Sequence, residues 1–438
     1  MSQLLRETGM QAVAAPEDAD ILIVNTCGFI ESAKQEAISA ILELVDYKQP
    51  KGKACALVVT GCLAQRYAEQ IRIQMPEIDA ILGTKEYGRI VDVIHELTPD
   101  IQAGHPVGCQ LPGARDPGKP FDPDSIAHLR TDRLPSTPRP YAYVKIAEGC
   151  SNHCAYCAIP GIRGEHVSRR FEDLVAEAAW LSTAGYDELI MIAQDTGRYG
   201  LDLYGKRRLA DLIAAICALP AVRLVRLLYI YSDGLTDDLI DLMAREPKIA
   251  HYLDVPIQHA SDRILKAMHR RDTQDEIRAA VARLRQAMPD LILRTTVMVG
   301  FPGENEADFE ILKDFLSEIR FERLGCFIFS PEENTPAFTM KPRVRKPAAM
   351  RRYHELMTLQ QKISADCTRR RLGQVVPVTL ESLDDRGIFY VGRSYGEAPD
   401  VDPVIYVAGT SDNLALGQTV PVHLIDVDEY DLTGVTAL

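Results

Sequence analysis

The stretch Cys150-Ser-Asn-His-Cys154-Ala-Tyr-Cys157 decides how the rest of this sequence is interpreted. It places three thiols within eight residues, spaced C-x₃-C-x₂-C, directly after an apolar, strand-like run from Tyr141 to Ile146. Thiolates on one short loop can bind three corners of an iron–sulfur cubane, and the fourth iron then receives no cysteine from the loop. We therefore predict a four-iron cluster here, with one iron open to a small molecule.

A structural zinc ion is the alternative, with His153 or a distant residue as the fourth ligand. Zinc knuckles usually present two separated pairs of ligands rather than three cysteines on one loop. The spacing therefore favours the iron–sulfur cluster.

Composition excludes several classes of protein. The chain has 438 residues, of which 46% are apolar, and its net charge is −13, so it carries no general nucleic-acid signal. It contains no apolar run near 18 residues, and its charged start differs from a signal peptide. Ten cysteines in a chain of this length do not indicate a secreted disulfide framework, so we expect a cytoplasmic protein without a membrane span.

Two further cysteines follow short apolar runs near the start of the chain. Cys27 comes just after the run 20–25, and Cys62 just after the run 56–60. Because ligands bind at the carboxyl edge of open α/β sheets, we predict that both thiols are ligands. The alternative is two inert buried thiols. Cys55 is a poor third donor, since an extended strand would separate it from Cys62 by about 23 Å. Nothing around Cys109 indicates a ligand.

The N-terminal module, residues 1–98, begins with a helix at residues 2–9 and has no strand before it. A helix followed by a strand is the second half of a βαβ unit. We therefore expect this Rossmann-like domain to be truncated, without its first strand.

Residues 99–140 are rich in proline and glycine and are predicted to be a connector. From residue 141 to 371, six strand-like runs alternate with helices, which predicts a parallel sheet and favours a partial (β/α)₆ barrel over a doubly wound sheet. The predicted strands are Tyr141–Ile146, Glu188–Ile192, Arg223–Ile230, Tyr252–Ile257, Ile292–Val299 and Leu324–Phe329.

Polar residues follow several of these strands, where a ligand would bind. They are Gln194, Asp195 and Thr196 after the second strand, Gln258 and His259 after the fourth, and the turn from Gly300 to Glu304 after the fifth. Individually, these are more often ordinary turns or structural residues. Their shared position favours a binding site.

The chain ends in a segment of different character. Residues 341–352 carry six basic side chains, which we interpret as a solvated linker and helix face. Residues 372–438 alternate apolar and polar positions, which predicts a small antiparallel barrel. This barrel carries eleven acidic residues and two arginines, a net charge of −9. That charge disfavours a phosphate backbone and suits a basic protein partner.

Taken together, these motifs resemble the radical S-adenosylmethionine (SAM) methylthiotransferases over nearly the full chain. The resemblance is carried by Asn25-Thr-Cys-Gly-Phe-Ile30, Gly61-Cys62-Leu-Ala-Gln, the three-cysteine loop, Ile292–Glu304 and the terminal TRAM-like barrel. The segments 392–400 and 428–431 are most similar to the branch that methylthiolates an aspartate of the twelfth small-subunit ribosomal protein. The branch that modifies tRNA adenosine is the main alternative, and a non-catalytic iron–sulfur protein is another.

The resemblance implies two [4Fe-4S] clusters and SAM as cofactors. Cys150, Cys154 and Cys157 would hold the first cluster, and Cys27 and Cys62 two corners of the second, whose third ligand would lie on the missing strand. The implied SAM pocket consists of Tyr156, Gln194, Asp195, Thr196, Gln258 and Glu304. The implied partners are a basic ribosomal protein as substrate and an electron donor, with no nucleic acid as direct substrate.

Overall fold

A computed structural model describes residues 1–102, 133–409, 414–428 and 430–437. The chain forms two compact units. The first comprises Met1–Leu134, Glu148–Val167 and Ser330–Phe338, and the second Pro135–Ala147, Ser168–Phe329 and Thr339–Leu438. The cysteine loop therefore groups with the N-terminal module, and the terminal barrel with the six-stranded sheet. Cys109 and most of the predicted connector lie outside the described residues.

The first unit contains a three-stranded parallel sheet in the order β1-β2-β3. Every residue of the central strand is buried, because helices cover both of its faces. The strands are Ile21–Thr26 (β1), Ala56–Gly61 (β2) and Ala80–Leu82 (β3), and the helices are Ser2–Glu7 (α1), Glu31–Val45 (α2), Cys62–Gln74 (α3), Ile90–Gln102 (α4) and Ile159–Arg163 (α5). Both strands predicted in this module are confirmed to within one residue.

The second unit contains a six-stranded parallel sheet whose order follows the chain without reversal. Its strands are Tyr141–Lys145 (β4), Glu188–Ile192 (β7), Leu224–Leu227 (β8), Ile249–Asp254 (β9), Ile292–Val299 (β10) and Arg323–Ile328 (β11). Two short strands, Ala147–Glu148 (β5) and Val167–Ser168 (β6), bracket the cysteine loop in sequence. An unreversed order puts all crossover helices on one face, as in the predicted partial barrel.

The helices pack against alternate residues of this sheet, such as Val144, Met191 and Leu293. The helices of this unit are Phe171–Thr183 (α6), Leu201–Tyr204 (α7), Leu209–Cys217 (α8), Asp237–Arg245 (α9), Asp262–Ala267 (α10), Gln274–Ala287 (α11), Glu306–Ile319 (α12) and Lys346–Arg369 (α14). The short helix Pro336–Thr339 (α13) belongs mostly to the first unit. Among the described residues, no helix combines the length and apolar character needed to cross a membrane.

The chain ends in a closed five-stranded barrel in the order β12-β13-β14-β16-β15. Its strands are Val375–Leu383 (β12), Tyr390–Arg393 (β13), Ile405–Ala408 (β14), Thr419–Val427 (β15) and Leu432–Thr436 (β16). The predicted alternation is confirmed, since Val376, Val378 and Leu380 all point into the barrel core. The prediction of a wholly antiparallel barrel is wrong for one pair, because β14 and β16 run parallel.

The terminal barrel is fastened to the helix-free face of the six-stranded sheet. The loop after β13, residues 394–402, places Ala398 and Tyr395 in an apolar cluster with Tyr141 and Tyr252 of the sheet. Buried charges join the same surfaces. Arg393 donates to Glu188 at 3.0 Å, and Arg226 Nη1 donates to the carbonyl of Tyr395 at 2.6 Å. We call residues 394–402 the barrel loop.

Candidate functional site

The three-cysteine loop is held by a short segment that follows it. Cys150 N–H donates to the carbonyl of Gly164 at 2.9 Å, and Ser151 Oγ accepts from the backbone N–H of His166 at 3.0 Å. Gly149 has φ +72°, and a Cβ there would lie 2.1 Å from the carbonyl oxygen of Glu165. Only glycine fits that approach, so the residue before the first cysteine is dictated by the backbone of the loop.

The thiols of this loop share one sheltered environment. Cys150 and Cys154 are buried, and Cys157 is partly buried. Burial, together with the neighbouring Cys154 and Cys150, raises the pKa of Cys157 to about 12. Metal binding deprotonates thiols and offsets the repulsion among the thiolates, so this donor set fits a cationic cluster. Tyr156 lies in the same turn, partly buried.

The zinc alternative would require closely spaced thiols and a fourth ligand. Zn–S bonds of about 2.3 Å would bring three sulfurs within about 4 Å of one another. Within the described ranges, no three His, Cys, Asp or Glu side chains converge as the ligands of one metal ion would. His153, the proposed fourth ligand, is exposed, and its Nε2 lies 3.4 Å from Glu165. A four-iron cluster takes one thiolate at each of its separate corners.

Cys27 and Cys62 follow adjacent strand ends, as predicted. Strands β1 and β2 are parallel neighbours, and Thr26 is paired with Gly61, so both cysteines leave the same edge of the sheet. Cys27 is exposed and Cys62 is buried. Cys55 lies at the opposite end of β2, where its thiol donates to the carbonyl of Asp20 at 3.1 Å. The structure therefore agrees with the exclusion of Cys55.

Arg163 contacts Cys62 and was not singled out by the sequence. Its Nη2 donates to Cys62 Sγ at 3.1 Å, and its Nη1 donates to Glu148 at 2.7 Å. Burial opposes the charge of this guanidinium, but Glu148 and Cys62 raise its pKa. Arg163 ends the helix that directly follows the cysteine loop, and the Cys62 side chain packs against that helix. The guanidinium therefore places a positive charge beside this sulfur.

The predicted SAM-pocket residues of the second unit lie at strand ends. They differ in whether their polar atoms are already hydrogen-bonded within the protein. Asp195 is buried and accepts from Gly197 N–H at 3.1 Å, and Thr196 Oγ1 donates to the carbonyl of Leu228 at 3.1 Å. Both therefore shape the local backbone. Among the described residues, the buried Oε1 of Gln194 has no hydrogen-bond partner, so this amide is available to a ligand.

Glu304 closes the turn that begins at Gly300. Its carboxylate accepts from Phe301 N–H at 3.0 Å and from Gly300 N–H, and it lies 3.0 Å from Arg352. Burial raises the pKa of Glu304 to about 7 despite these partners. Gln258 has φ +67°, and its backbone bonds to Thr296 and Met298 of β10. In this structure Glu304 and Gln258 therefore hold the backbone at the ends of the strands.

His259 lies at the strand end where the sequence predicts polar residues to gather, and among the described residues its buried Nε2 has no hydrogen-bond partner. It is fully buried, and its Nδ1 accepts from Ser261 N–H at 2.9 Å. Burial lowers the pKa of His259 to about 3, so the ring is neutral.

The sequence also missed a group of polar residues on the helix-free face of the sheet. Arg294 on β10 and Asp254 on β9 are register partners. Tyr229 follows β8 with φ +57° and is 44% exposed. The signal available in the sequence was a single charged residue, Arg294, within the strand Ile292–Val299.

Three family descriptions match parts of the chain. The Radical SAM superfamily matches residues 144–316, the TRAM domain residues 372–436, and Uncharacterized protein family UPF0004 residues 1–83. These matches fall on the central, C-terminal and N-terminal modules expected from the sequence.

Relatives of similar length share one name. The chain is 43% identical over 438 residues to the ribosomal protein uS12 methylthiotransferase RimO of Acetivibrio thermocellus, covering 99% of this chain and 94% of that protein. It is 44% identical over 435 residues to the protein of the same name from Lachnoclostridium phytofermentans, covering 99% and 95%.

A solved structure shows a similar fold. The radical SAM methyltransferase TsrM from Kitasatospora setae, with cobalamin and a [4Fe-4S] cluster bound, aligns with a TM-score of 0.53 at 16% identity. The alignment covers 72% of this chain and 65% of that chain. At this identity the likeness concerns the fold alone.

Proposed function

The chain belongs to the ribosomal protein uS12 methylthiotransferase family of radical SAM proteins, and we propose that it attaches a methylthio group to the β-carbon of an aspartate in uS12, the twelfth protein of the small ribosomal subunit. Relatives of that name over nearly the whole chain support this assignment. The alternative of tRNA adenosine as substrate is not favoured, since the relatives described above are named for the ribosomal protein.

The observation that carries the proposal is the sheltered set of three thiols on one loop. Cys150, Cys154 and Cys157 would hold a [4Fe-4S] cluster, with Tyr156 beside them. When bound and reduced, the cluster supplies the electron that cleaves SAM and so generates a radical able to take hydrogen from an unactivated carbon. The chain's own residues shelter the thiols and fix the loop through Gly164 and Ser151.

For SAM itself, the residues at the strand ends have different roles. Gln194 offers a buried amide oxygen without a partner among the described residues, which suits a hydrogen-bond donor such as an amino group. Asp195, Thr196, Gln258 and Glu304 would act mainly by holding the backbone of the strand ends in place.

We propose Cys27 and Cys62 as donors to a second cluster, which would handle the inserted sulfur. Their common sheet edge and the Arg163 contact to Cys62 support this role. Iron content after anaerobic reconstitution tests it: about eight irons per chain would indicate two [4Fe-4S] clusters, and about four would indicate one. A chain with one cluster and no turnover would instead support the non-catalytic alternative.

The substrate assignment also fits the charge of the terminal barrel, with one revision. Glu381, Glu397 and Asp402 face arginines within the second unit and are unavailable to a partner. Exposed acids remain elsewhere on the barrel, and a basic ribosomal protein would be attracted to them. They include Asp385, Asp426 and Asp428. A second proposed partner is an electron donor, because the cluster must be reduced before SAM is cleaved.

The assignment is tested by replacing all three loop cysteines with alanine. The variant should lose both SAM cleavage to 5′-deoxyadenosine and the mass increase of uS12. Cys55→Ala is the matched control and should keep both. Undiminished SAM cleavage by the triple variant would refute the radical SAM mechanism. Cleavage without modification of uS12 by the unaltered protein would refute the substrate.

A further inference from the structure

Arg294 occupies an unusual place on the six-stranded sheet. It lies on the helix-free face, between neighbours of β10 that point into the helix-side core, such as Leu293 and Val297. The register of the sheet pairs one residue from each of four neighbouring strands at the same level. These residues are Met191, Leu227, Leu253 and Leu293. Arg294 is one residue beyond that level, where β7, β8 and β9 end. Ligands of parallel α/β sheets bind at this level.

Two carboxylates hold the guanidinium in position. Asp402 of the barrel loop accepts from Arg294 Nη1 at 3.0 Å. Asp402 is itself locked, since it also accepts from Tyr252 Oη at 2.6 Å and from Ala398 N–H at 3.0 Å. On the other side, Arg294 Nε lies 3.8 Å from Asp254. The side chain therefore has little freedom to move away from this face.

One edge of the guanidinium stays open. Among the described residues, Nη2 of Arg294 has no hydrogen-bond acceptor, and 21% of the side chain is exposed. Gly325 lies beside that edge, where an added Cβ would be 3.8 Å from Nη2, from Thr296 Oγ1 and from the Phe327 ring. Phe327 is itself 56% exposed. A fixed cation with a free donor edge next to exposed aromatic surface is suited to bind an anion.

We propose that Arg294 binds the carboxylate of the substrate side chain that is modified. This inference rests on the proposed function, in which that side chain is an aspartate. A carboxylate leaving water for a partly buried site needs a charged hydrogen-bond donor. Holding the carboxylate also fixes the position of the adjacent β-carbon, which is the atom that reacts.

The neighbouring acids do not cancel this role. Asp402 and Arg294 form one neutral pair whose bonds involve Nη1, which leaves Nη2 to the ligand. Asp254 is buried, its Oδ1 makes no hydrogen bond among the described residues, and burial raises its pKa to about 6. This carboxyl can take up a proton when a second carboxylate arrives, which removes the repulsion between the two.

The test is a double-mutant cycle between Arg294 and the substrate. The full chain, reconstituted with iron, is titrated with isolated uS12 and with uS12 whose target aspartate is replaced by asparagine. The target is the residue that gains the methylthio group in the unaltered reaction. The unaltered enzyme should bind the aspartate form about 10- to 100-fold more tightly, the range for a charge-assisted contact. Arg294→Gln should bind both forms alike, and Arg294→Lys should keep part of the preference.

Two further variants keep the result interpretable. Gly325→Ala covers the Nη2 edge while leaving the Asp402 contact intact, and it should reduce the preference even if Arg294→Gln folds poorly. Arg278→Gln, on the surface of α11, is the matched control and should change nothing. Iron content and SAM cleavage without substrate should match the unaltered enzyme throughout.

The outcomes separate this inference from the function on which it rests. If the unaltered enzyme neither binds nor modifies uS12, both are refuted. If it modifies uS12 but Arg294→Gln and Gly325→Ala keep the full preference for aspartate, only the role of Arg294 is refuted.

Discussion

Replacing Arg393 with methionine should weaken the packing of the terminal barrel on the sheet and lower the free energy of unfolding. Arg393 is 4% exposed and donates to both oxygens of Glu188, at 3.0 and 3.2 Å. It also donates to Glu381 at 2.9 Å and to the carbonyl of Glu397 at 3.0 Å. Methionine fills a similar volume but leaves Glu188, which is 2% exposed, with Arg226 as its main cation.

The size of the effect follows from the burial of the group left behind. Removing one partner of a buried ion pair typically costs about 3–5 kcal/mol, because the remaining charge stays out of water. For a unit of this size, that loss corresponds to a fall of roughly 10 °C in the apparent unfolding midpoint. The measurement is calorimetry of the full chain at neutral pH. Arg386→Met, at the exposed hairpin of the same barrel, is the control and should shift the midpoint by less than about 2 °C.

The same ion pair predicts how stability depends on pH. Burial opposes the charge of Glu188, but Arg226 and Arg393 lower its pKa to about 2, below its usual 4.5. A carboxyl whose pKa is lowered by folding contributes stability that is complete above pH 4.5 and is lost as the pH falls toward 2. The difference in stability between the unaltered protein and Arg393→Met should therefore be constant above pH 5 and shrink below 4.5. A loss under about 1 kcal/mol at pH 7 would refute this account of the interface.

Two other perturbations test the candidate sites. Arg163→Gln should remove the donor to Cys62 and so lower the iron retained by the N-terminal cysteines, measured by iron analysis and electron paramagnetic resonance after reconstitution; equal retention would contradict the contact's role. Reversing Asp385, Asp426 and Asp428 to lysine should weaken binding of uS12 and flatten its dependence on salt between roughly 0.1 and 0.5 M, over which screening shortens to a few ångströms. Unchanged titration curves would show that the exposed acids do not bind the substrate.

The sequence alone was sufficient for features that depend on short-range order. Covalent spacing puts Cys150, Cys154 and Cys157 on one loop whatever surrounds it. Short apolar runs between helical segments identify the six strands. Alternation of apolar and polar residues identifies the terminal barrel, because side chains of a strand point to opposite faces in turn. The adjacent ends of β1 and β2 also followed from the sequence, since parallel strands must end on the same side.

Only the tertiary structure decided which polar residues are free and which are used. Asp195, Thr196 and Glu304 lie at strand ends as predicted, yet their hydrogen bonds hold the backbone, because most buried polar groups find a partner within the protein. The acids of the barrel loop were counted with the surface charge, but Asp402 and Glu397 are buried against arginines.

The contacts of Arg163 and Arg294 were also beyond reach from sequence. Arg163 lies 101 residues from Cys62, and Arg294 lies 108 residues from Asp402. Local periodicity carries no information on such pairs. They depend on strand register and on the docking of one module against another, which are set by packing over the whole fold.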